Sequence, residues 1–81
     1  MIHDLKIWPQ YYEAVLSGEK NFEVRENDRG FREGDDLALW EFGADLYTGR
    51  ALTATITYVH SGLGMAPGYV VLGLGDMREV E

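Results

Sequence analysis

The sequence contains no cysteine, so it can form neither a disulfide framework nor a thiolate metal site. It also has no apolar run near the roughly 20 residues that a membrane-spanning helix needs. The first residues carry His3 and Asp4, with no basic segment followed by an apolar one, so no signal peptide is predicted. These absences together favour a protein of the reducing cytoplasm without a membrane partner.

Basic residues are also few, with seven Lys and Arg against 14 Asp and Glu, for a formal net charge of -7. Residues 1–32 hold five of the basic and six of the acidic residues, whereas residues 33–81 hold two basic and eight acidic residues. A protein that binds duplex DNA non-specifically needs a broad basic surface to neutralise phosphates. We therefore expect no such binding, and any contact with nucleic acid must use a local pocket.

The sequence offers no pattern for a metal or a cofactor. His3 and His60 are isolated, with no carboxylate or thiol partners at the spacing of metal ligands. The stretch Gly62–Gly64 lacks the third glycine of a dinucleotide-binding fingerprint and the surrounding strand–helix–strand unit. We therefore predict no metal and no cofactor, and we interpret Gly62–Gly64 as a flexible loop.

Hydrophobic periodicity predicts one strand, one helix and then four strands. Residues 3–7 form the first strand, and Pro9 opens a helix over residues 9–17 that Gly18 ends in a positive-φ conformation. The helix carries an apolar stripe at helical spacing, made of Trp8, Tyr11, Tyr12, Val15 and Leu16.

From residue 20 the apolar period changes to two, which is typical of a strand. Residues 20–26 alternate, and Phe22 and Val24 are expected to face the core. Further strands are predicted over residues 37–42, 52–58 and 69–74, with Thr48 and Gly49 at a tight hairpin turn. The last strand is almost wholly apolar, which favours a central position covered on both faces.

One helix cannot cover both faces of a five-stranded sheet. The predicted fold is therefore α+β and mainly β: a small, mostly antiparallel β-barrel with the helix at one end, forming a single domain over residues 1–81.

The strongest candidates for a functional site are three charged residues, Lys20, Glu23 and Arg25. Glu23 and Arg25 lie two apart on a strand, so their side chains share one side, opposite Phe22 and Val24. Spacing alone favours a solvated strand face whose ion pairs contribute about 0–1 kcal/mol.

The pattern Gly18-x-Lys20-x-x-Glu23-x-Arg25 resembles the GxKxxExR motif of the ASCH superfamily, which is related to the PUA RNA-binding fold. The stretch HDLKIWPQYYEAVLSGEKNFEVRENDRGFREGDDLAL, the YTGR segment and GYVVLGL are similar to a small bacterial and phage ASCH family of unknown function. This resemblance implies a barrel with a cleft into which Lys20, Glu23 and Arg25 point.

A cleft of this composition suits RNA or a nucleotide. Lys20 and Arg25 can pair with phosphate, and Glu23 can accept hydrogen bonds from exocyclic amines. Trp8, Tyr11 and Tyr69 are candidates for stacking on a base. Core packing is the favoured explanation for Tyr11, as for Tyr12, and an equally good one for Trp8. Arg29 is a further candidate for ligand binding, and together with Arg32 it is expected to form a positive rim beside the cleft.

Three functions therefore stay open. The first is a module that binds RNA or a nucleotide. The second is a hydrolase, because some ASCH proteins cleave the acyl amide of N4-acetylcytidine and others are ribonucleases. Lys20 matches the amidohydrolase lysine, but Glu23 stands where those enzymes have a threonine nucleophile, so Glu23 would have to act as a general base. The third is an acidic module that binds another protein.

Overall fold

Five strands and one helix make up the chain in the computed structural model, which describes residues 1–81. In chain order they are β1 (Ile2–Ile7), α1 (Pro9–Leu16), β2 (Phe22–Glu26), β3 (Asp36–Gly43), β4 (Leu46–Ser61) and β5 (Tyr69–Glu79). Strands account for 57% of the residues and the helix for 10%. The predicted class, α+β and mainly β with one helix after the first strand, is confirmed. The helix has only eight residues, and no helix of this protein could cross a membrane.

The five strands form one sheet in the order β1-β3-β4-β5-β2. Only the β1–β3 pair is parallel, so the predicted antiparallel character is also confirmed. The sheet curls into a half-barrel. Its two edge strands, β1 and β2, do not pair with each other but lie on either side of a gap, which we call the seam.

The core fills the concave side of this half-barrel. Alternate residues of each long strand point inward, as the two-residue period of a strand requires. The helix adds Tyr12 and Val15, which are fully buried. The inward set from the strands comprises Leu5, Ile7, Leu37, Leu39, Leu52, Ala54, Ile56, Val70, Leu72 and Leu74.

The predicted apolar stripe of the helix is only half right. Tyr12 and Val15 are buried and Leu16 packs against the core, but Trp8 and Tyr11 are 60% and 44% exposed. Helical spacing identifies side chains that share a face, yet only the C-terminal part of this short helix, from Tyr12 onward, packs against the core. Both exposed aromatic rings lie beside the seam.

The hairpin between β3 and β4 turns at a different place from the one predicted. Gly43 pairs with Leu46, and Ala44 and Asp45 between them both have positive φ, of 52° and 62°. A two-residue hairpin loop of type I′ has positive φ at both positions, and its twist matches that of the strands. Thr48 and Gly49 instead lie in a bulge of β4, where the register with β3 shifts.

Strand β5 is not an edge strand, in agreement with its predicted central position, but only one of its faces is covered. It lies between β4 and β2 with Val70, Leu72 and Leu74 buried, while Tyr69 is 43% exposed and Val71 is half-buried. The apolar run of this strand therefore combines an inward row with an outward row of a few apolar and glycine residues.

Arg50 of β4 ties the helix to the last strand. Its Nη1 donates to Glu13 Oε1 at 2.6 Å and its Nη2 to Glu79 Oε2 at 3.1 Å, and its guanidinium lies 4.5 Å from the centre of the Tyr12 ring. The Tyr12 hydroxyl donates to Glu79 Oε2 at 2.7 Å. Burial, reinforced by the Glu79 carboxylate, raises the pKa of Tyr12 to about 12. The same hydrogen bond from Tyr12, followed by that from Arg50, lowers the pKa of Glu79.

Gly18→Val should destabilise the protein. Gly18 has a φ of +83°, and no atom lies within 4 Å of the position a Cβ would take, so only the backbone opposes a side chain. A non-glycine residue in this conformation costs about 1–2 kcal/mol, and a β-branched one is the least tolerated. Asn adopts positive φ more readily, so Gly18→Asn is the matched control. Equal losses of unfolding free energy in urea for both variants would show that backbone strain is not the cause.

Glu79→Gln should weaken the protein at neutral pH and flatten the acid side of its stability profile. Since the folded-state pKa of Glu79 lies below its ordinary value of 4.5, its contribution is present above that value and is lost as pH falls through the folded pKa. Asp35, whose pKa is lowered chiefly by its hydrogen bond with His3, is present in both proteins, so the difference between their profiles isolates Glu79. Urea unfolding across the acid range checks this, with Glu81→Gln as the control. A variant profile parallel to that of the wild type would contradict it.

Candidate functional site

A cleft of about 610 Å³ lies at the seam, between the end of β1 with the start of α1 on one side and the edge strand β2 on the other. Its walls combine charged and aromatic side chains. They are Lys6, Ile7, Trp8, Tyr11, Lys20, Phe22, Glu23, Val24, Arg25, Glu26 and Tyr69. All three motif residues are among them, as are Trp8 and Tyr69.

The turn after the helix sets the position of Lys20. Gly18 takes a positive φ, as predicted, and its N–H donates to the Val15 carbonyl at 3.1 Å. The N–H of Lys20 donates a hydrogen bond to the carbonyl of Ala14 at 2.9 Å, and this bond holds the turn against the helix. The carbonyl of Asn21 accepts from the N–H of Leu74 at 2.8 Å, and this bond starts the pairing of β2 with β5.

Glu23 lies between two cations at the centre of the cleft. Its Oε1 accepts a hydrogen bond from Lys20 Nζ at 2.6 Å, and its Oε2 accepts from Arg25 Nη2 at 2.9 Å and Nε at 3.1 Å. The side chain of Glu23 is only 5% exposed, against 19% for Lys20 and 24% for Arg25. The three residues thus converge in a concavity and carry a net charge of +1.

The expected orientation of β2 is wrong. Phe22 and Val24 are 41% and 50% exposed, whereas Glu23 is buried. Glu23 and Arg25 stand opposite Leu72 and Val70, which are both inward residues of β5. The polar side of β2 therefore faces the concave side of the sheet. This is possible because β2 is an edge strand beside an open seam, and because each charge there has a partner.

Aromatic rings surround the Lys20 ammonium. Its Nζ lies 4.8 Å from the centre of the Tyr11 ring and 5.0 Å from that of Phe22. Trp8 precedes the helix, and its backbone carbonyl accepts a hydrogen bond from the N–H of Tyr12. The residue is 60% exposed and lines the cleft. Tyr69 stands opposite Glu26 across the β2–β5 pair. The cleft therefore offers both positive charge and open ring faces.

Two arginines bridge the seam. Arg25 Nη2 donates to the carbonyl of Lys6 at 2.6 Å, and Arg29 Nη1 donates to the carbonyl of Asp4 at 2.5 Å. These bonds satisfy edge carbonyls of β1 that no strand reaches. Sequence reasoning assigned Arg29 to the ligand and missed this bridging role, because no local pattern reveals which distant carbonyls an arginine will meet.

Arg29 does not line the main cleft. It lies in a neighbouring cavity of about 350 Å³ together with Asp4, Trp40 and Tyr47. Arg32, expected beside it, is exposed and lines neither cavity. The sequence reading missed Lys6, Trp40 and Tyr47 at the seam. Lys6 carries no sequence signal, and the one signal for Trp40 and Tyr47 is that they are large aromatic residues on either side of a hairpin.

No group of three or more His, Asp or Glu side chains is arranged to hold a metal ion. His3 is buried, bonds to Asp35 at 2.8 Å and packs edge-on against Phe31. His60 bonds to the carbonyl of Leu63. Each histidine therefore has a local structural partner.

The architecture and the site define a small half-barrel protein with a charged and aromatic cleft between its edge strands. Residues 2–74 match the family described as "Domain of unknown function (DUF3850)", and the chain belongs to this family. The matched residues include every residue that lines the cleft.

The chain is also similar to the "Uncharacterized 12.9 kDa protein in GpA 3'region" of Escherichia phage P2. The two are 38% identical over 71 residues, which cover 88% of this chain and 65% of the phage protein. The chain therefore spans slightly less than two thirds of the length of that relative.

Glu23→Gln should destabilise the protein, because it leaves two partly buried cations without their shared counter-charge. Breaking such a pair costs several kcal/mol when it is fully buried, and we expect about 1–3 kcal/mol here because the cations keep some exposure. The control is Glu26→Gln, an exposed carboxylate of the same strand, for which a change within about 0.5 kcal/mol is expected. Similar urea midpoints for the two variants would mean that the ion pairs at Glu23 add nothing to the fold.

Proposed function

We propose that the cleft at the seam binds a nucleotide or single-stranded RNA. The observation that carries this proposal is the joint presence of Lys20 and Arg25, which share a single carboxylate, and of open aromatic rings around them. Cations pair with phosphate, while ring faces stack on bases of any sequence, and proteins that bind single strands combine these two features.

The distribution of charge favours binding of an anionic ligand at the seam and nowhere else on the surface. Four of the seven basic residues, Lys6, Lys20, Arg25 and Arg29, line the main cleft or its neighbour, together with three acidic residues. The rest of the protein then holds three basic and 11 acidic residues. An anionic ligand is attracted to the seam and repelled elsewhere.

The resemblance to the ASCH superfamily points in the same direction. The motif Gly18-x-Lys20-x-x-Glu23-x-Arg25 lies along the cleft, and a curled sheet with one helix after the first strand is the arrangement which that likeness implies. We propose that this family is an ASCH-related branch with a PUA-like role, acting in the cytoplasm.

Hydrolysis is the second candidate, favoured by the 2.6 Å contact between Lys20 and Glu23 in a cavity large enough for a base. A general base must take a proton, however, and both oxygens of Glu23 already accept hydrogen bonds from cations. Binding is therefore the better supported role, and an acidic protein-interaction module rests on net charge alone.

Lys20→Met should lower nucleotide affinity at least about tenfold, because it removes a charge-assisted contact to phosphate. Methionine keeps an unbranched stem against Tyr11 and Phe22, and Glu23 keeps Arg25 as a partner, so the fold should survive. Isothermal titration with uridine and cytidine monophosphates and short single-stranded RNAs, repeated at rising salt, measures the effect. Chromatography of N4-acetylcytidine incubated with the protein tests for turnover.

Arg32→Met is the matched control, since it removes the same charge from an exposed position outside the cleft. We expect it to leave affinity nearly unchanged. An equal loss from Arg32→Met would indicate diffuse attraction rather than a site, and the absence of binding to any of these ligands would refute the proposed function.

A further inference from the structure

A second cavity continues the cleft along the seam. Its volume is about 350 Å³, and it shares Lys6 and Arg25 with the main cleft. A third cavity, of about 300 Å³, is also lined by Lys6 and Arg25, together with Trp8 and Phe42. The three hollows therefore adjoin one another around the same two cations.

Two aromatic side chains stand in the second cavity with their positions fixed. The indole Nε1 of Trp40 donates to Asp4 Oδ1 at 3.0 Å, and the ring stays 41% exposed. Tyr47 is 57% exposed and meets Phe42 edge-on, with ring centres 5.0 Å apart. Both rings are held in place before any ligand arrives, which lowers the entropy lost on stacking.

The exposed aromatic residues of this protein are concentrated at the seam. Of the seven Trp, Tyr and Phe side chains that are large and exposed, only Tyr58 lies outside the three hollows. The other six line them: Trp8, Tyr11, Phe22, Trp40, Tyr47 and Tyr69. A small protein that needed these rings only for its core would bury them, so their common location indicates a surface for stacking.

The cations between the two stacking surfaces have hydrogen-bond donors to spare. Arg25 uses Nε and Nη2 for Glu23 and for the Lys6 carbonyl, which leaves Nη1 for a ligand. Lys6 Nζ forms no ion pair and lies 4.4 Å from the centre of the Phe42 ring and 5.7 Å from that of Tyr47. A phosphate that links two nucleotides would meet positive charge here.

We propose that the seam takes a single-stranded oligonucleotide, with one base in the main cleft, a second base on Trp40 and Tyr47, and the linking phosphate at Lys6 and Arg25. This inference rests on the proposed function and names its ligand class. A mononucleotide would leave the second pair of rings unused. A duplex would keep its bases stacked on each other and bring its phosphates against the acidic remainder of the surface.

The test compares two RNA strands of equal phosphate content by isothermal titration. One is tetrauridylate, and the other carries a single uracil with its remaining sugars abasic. The wild-type protein should bind the first at least about fivefold more tightly, since stacking of one base is worth about 5- to 150-fold in affinity. Trp40→Ala and, as a second variant, Tyr47→Ala should each remove most of this difference and leave uridine monophosphate binding unchanged. Tyr58→Ala, the exposed aromatic outside the seam, is the control and should change nothing.

The outcomes separate this inference from the function on which it rests. Binding of uridine monophosphate that Lys20→Met weakens, with equal affinity for the two strands, overturns only the second base site. The second base site is also overturned if Tyr58→Ala reduces the affinity difference between the two strands as much as Trp40→Ala does. No binding of any strand or mononucleotide overturns both proposals. Thermal melts of the variants show whether each is folded, and the two independent ring substitutions keep the test decisive if one of them is not.

Discussion

One buried carboxylate organises the seam. Glu23 is the shared counter-charge of Lys20 and Arg25, and Arg25 is also the residue that reaches the Lys6 carbonyl on the opposite edge strand. Two cations so close together and so little exposed would repel each other without an anion between them. The position of the Arg25 guanidinium, and with it the width of the cleft, therefore depends on the charge of Glu23.

An open half-barrel has two sheet edges to protect, and this protein protects one of them, the β1 edge, with side chains. On β1, arginine N–H groups from the other side of the seam occupy the carbonyls of Asp4 and Lys6. A further strand would satisfy these groups more completely, but it would fill the space that the cleft occupies. Arginine instead bridges the gap with a thin planar group, which blocks association through the edge while the hollow stays accessible.

The sequence predicted the order of the elements and the end of the helix at Gly18, because these depend on local patterns. The convergence of Lys20, Glu23 and Arg25 was expected only from the resemblance to the ASCH motif. Sequence reasoning failed where the outcome depends on distant partners. An alternating strand has two faces, and only the tertiary structure decides which is inward. Phe22 and Val24 look like core residues until β2 is known to be an edge strand beside a gap. Likewise, Trp40 meets Asp4 only because β1 and β3 pair in parallel, which no short-range signal reveals.

The number of carboxylates around each cation distinguishes the cations that only stabilise the fold from those that can also contact a ligand. Arg50 is surrounded by Glu13, Glu41 and Glu79, so an approaching anion meets a net negative group. Lys20 and Arg25 have one carboxylate between them. An acidic protein that only needed ion pairs for its fold could have supplied more acid at the seam, as it does around Arg50. The excess of positive charge occurs where the aromatic rings are exposed, and the proposed ligand, an anion that carries bases, would use both features.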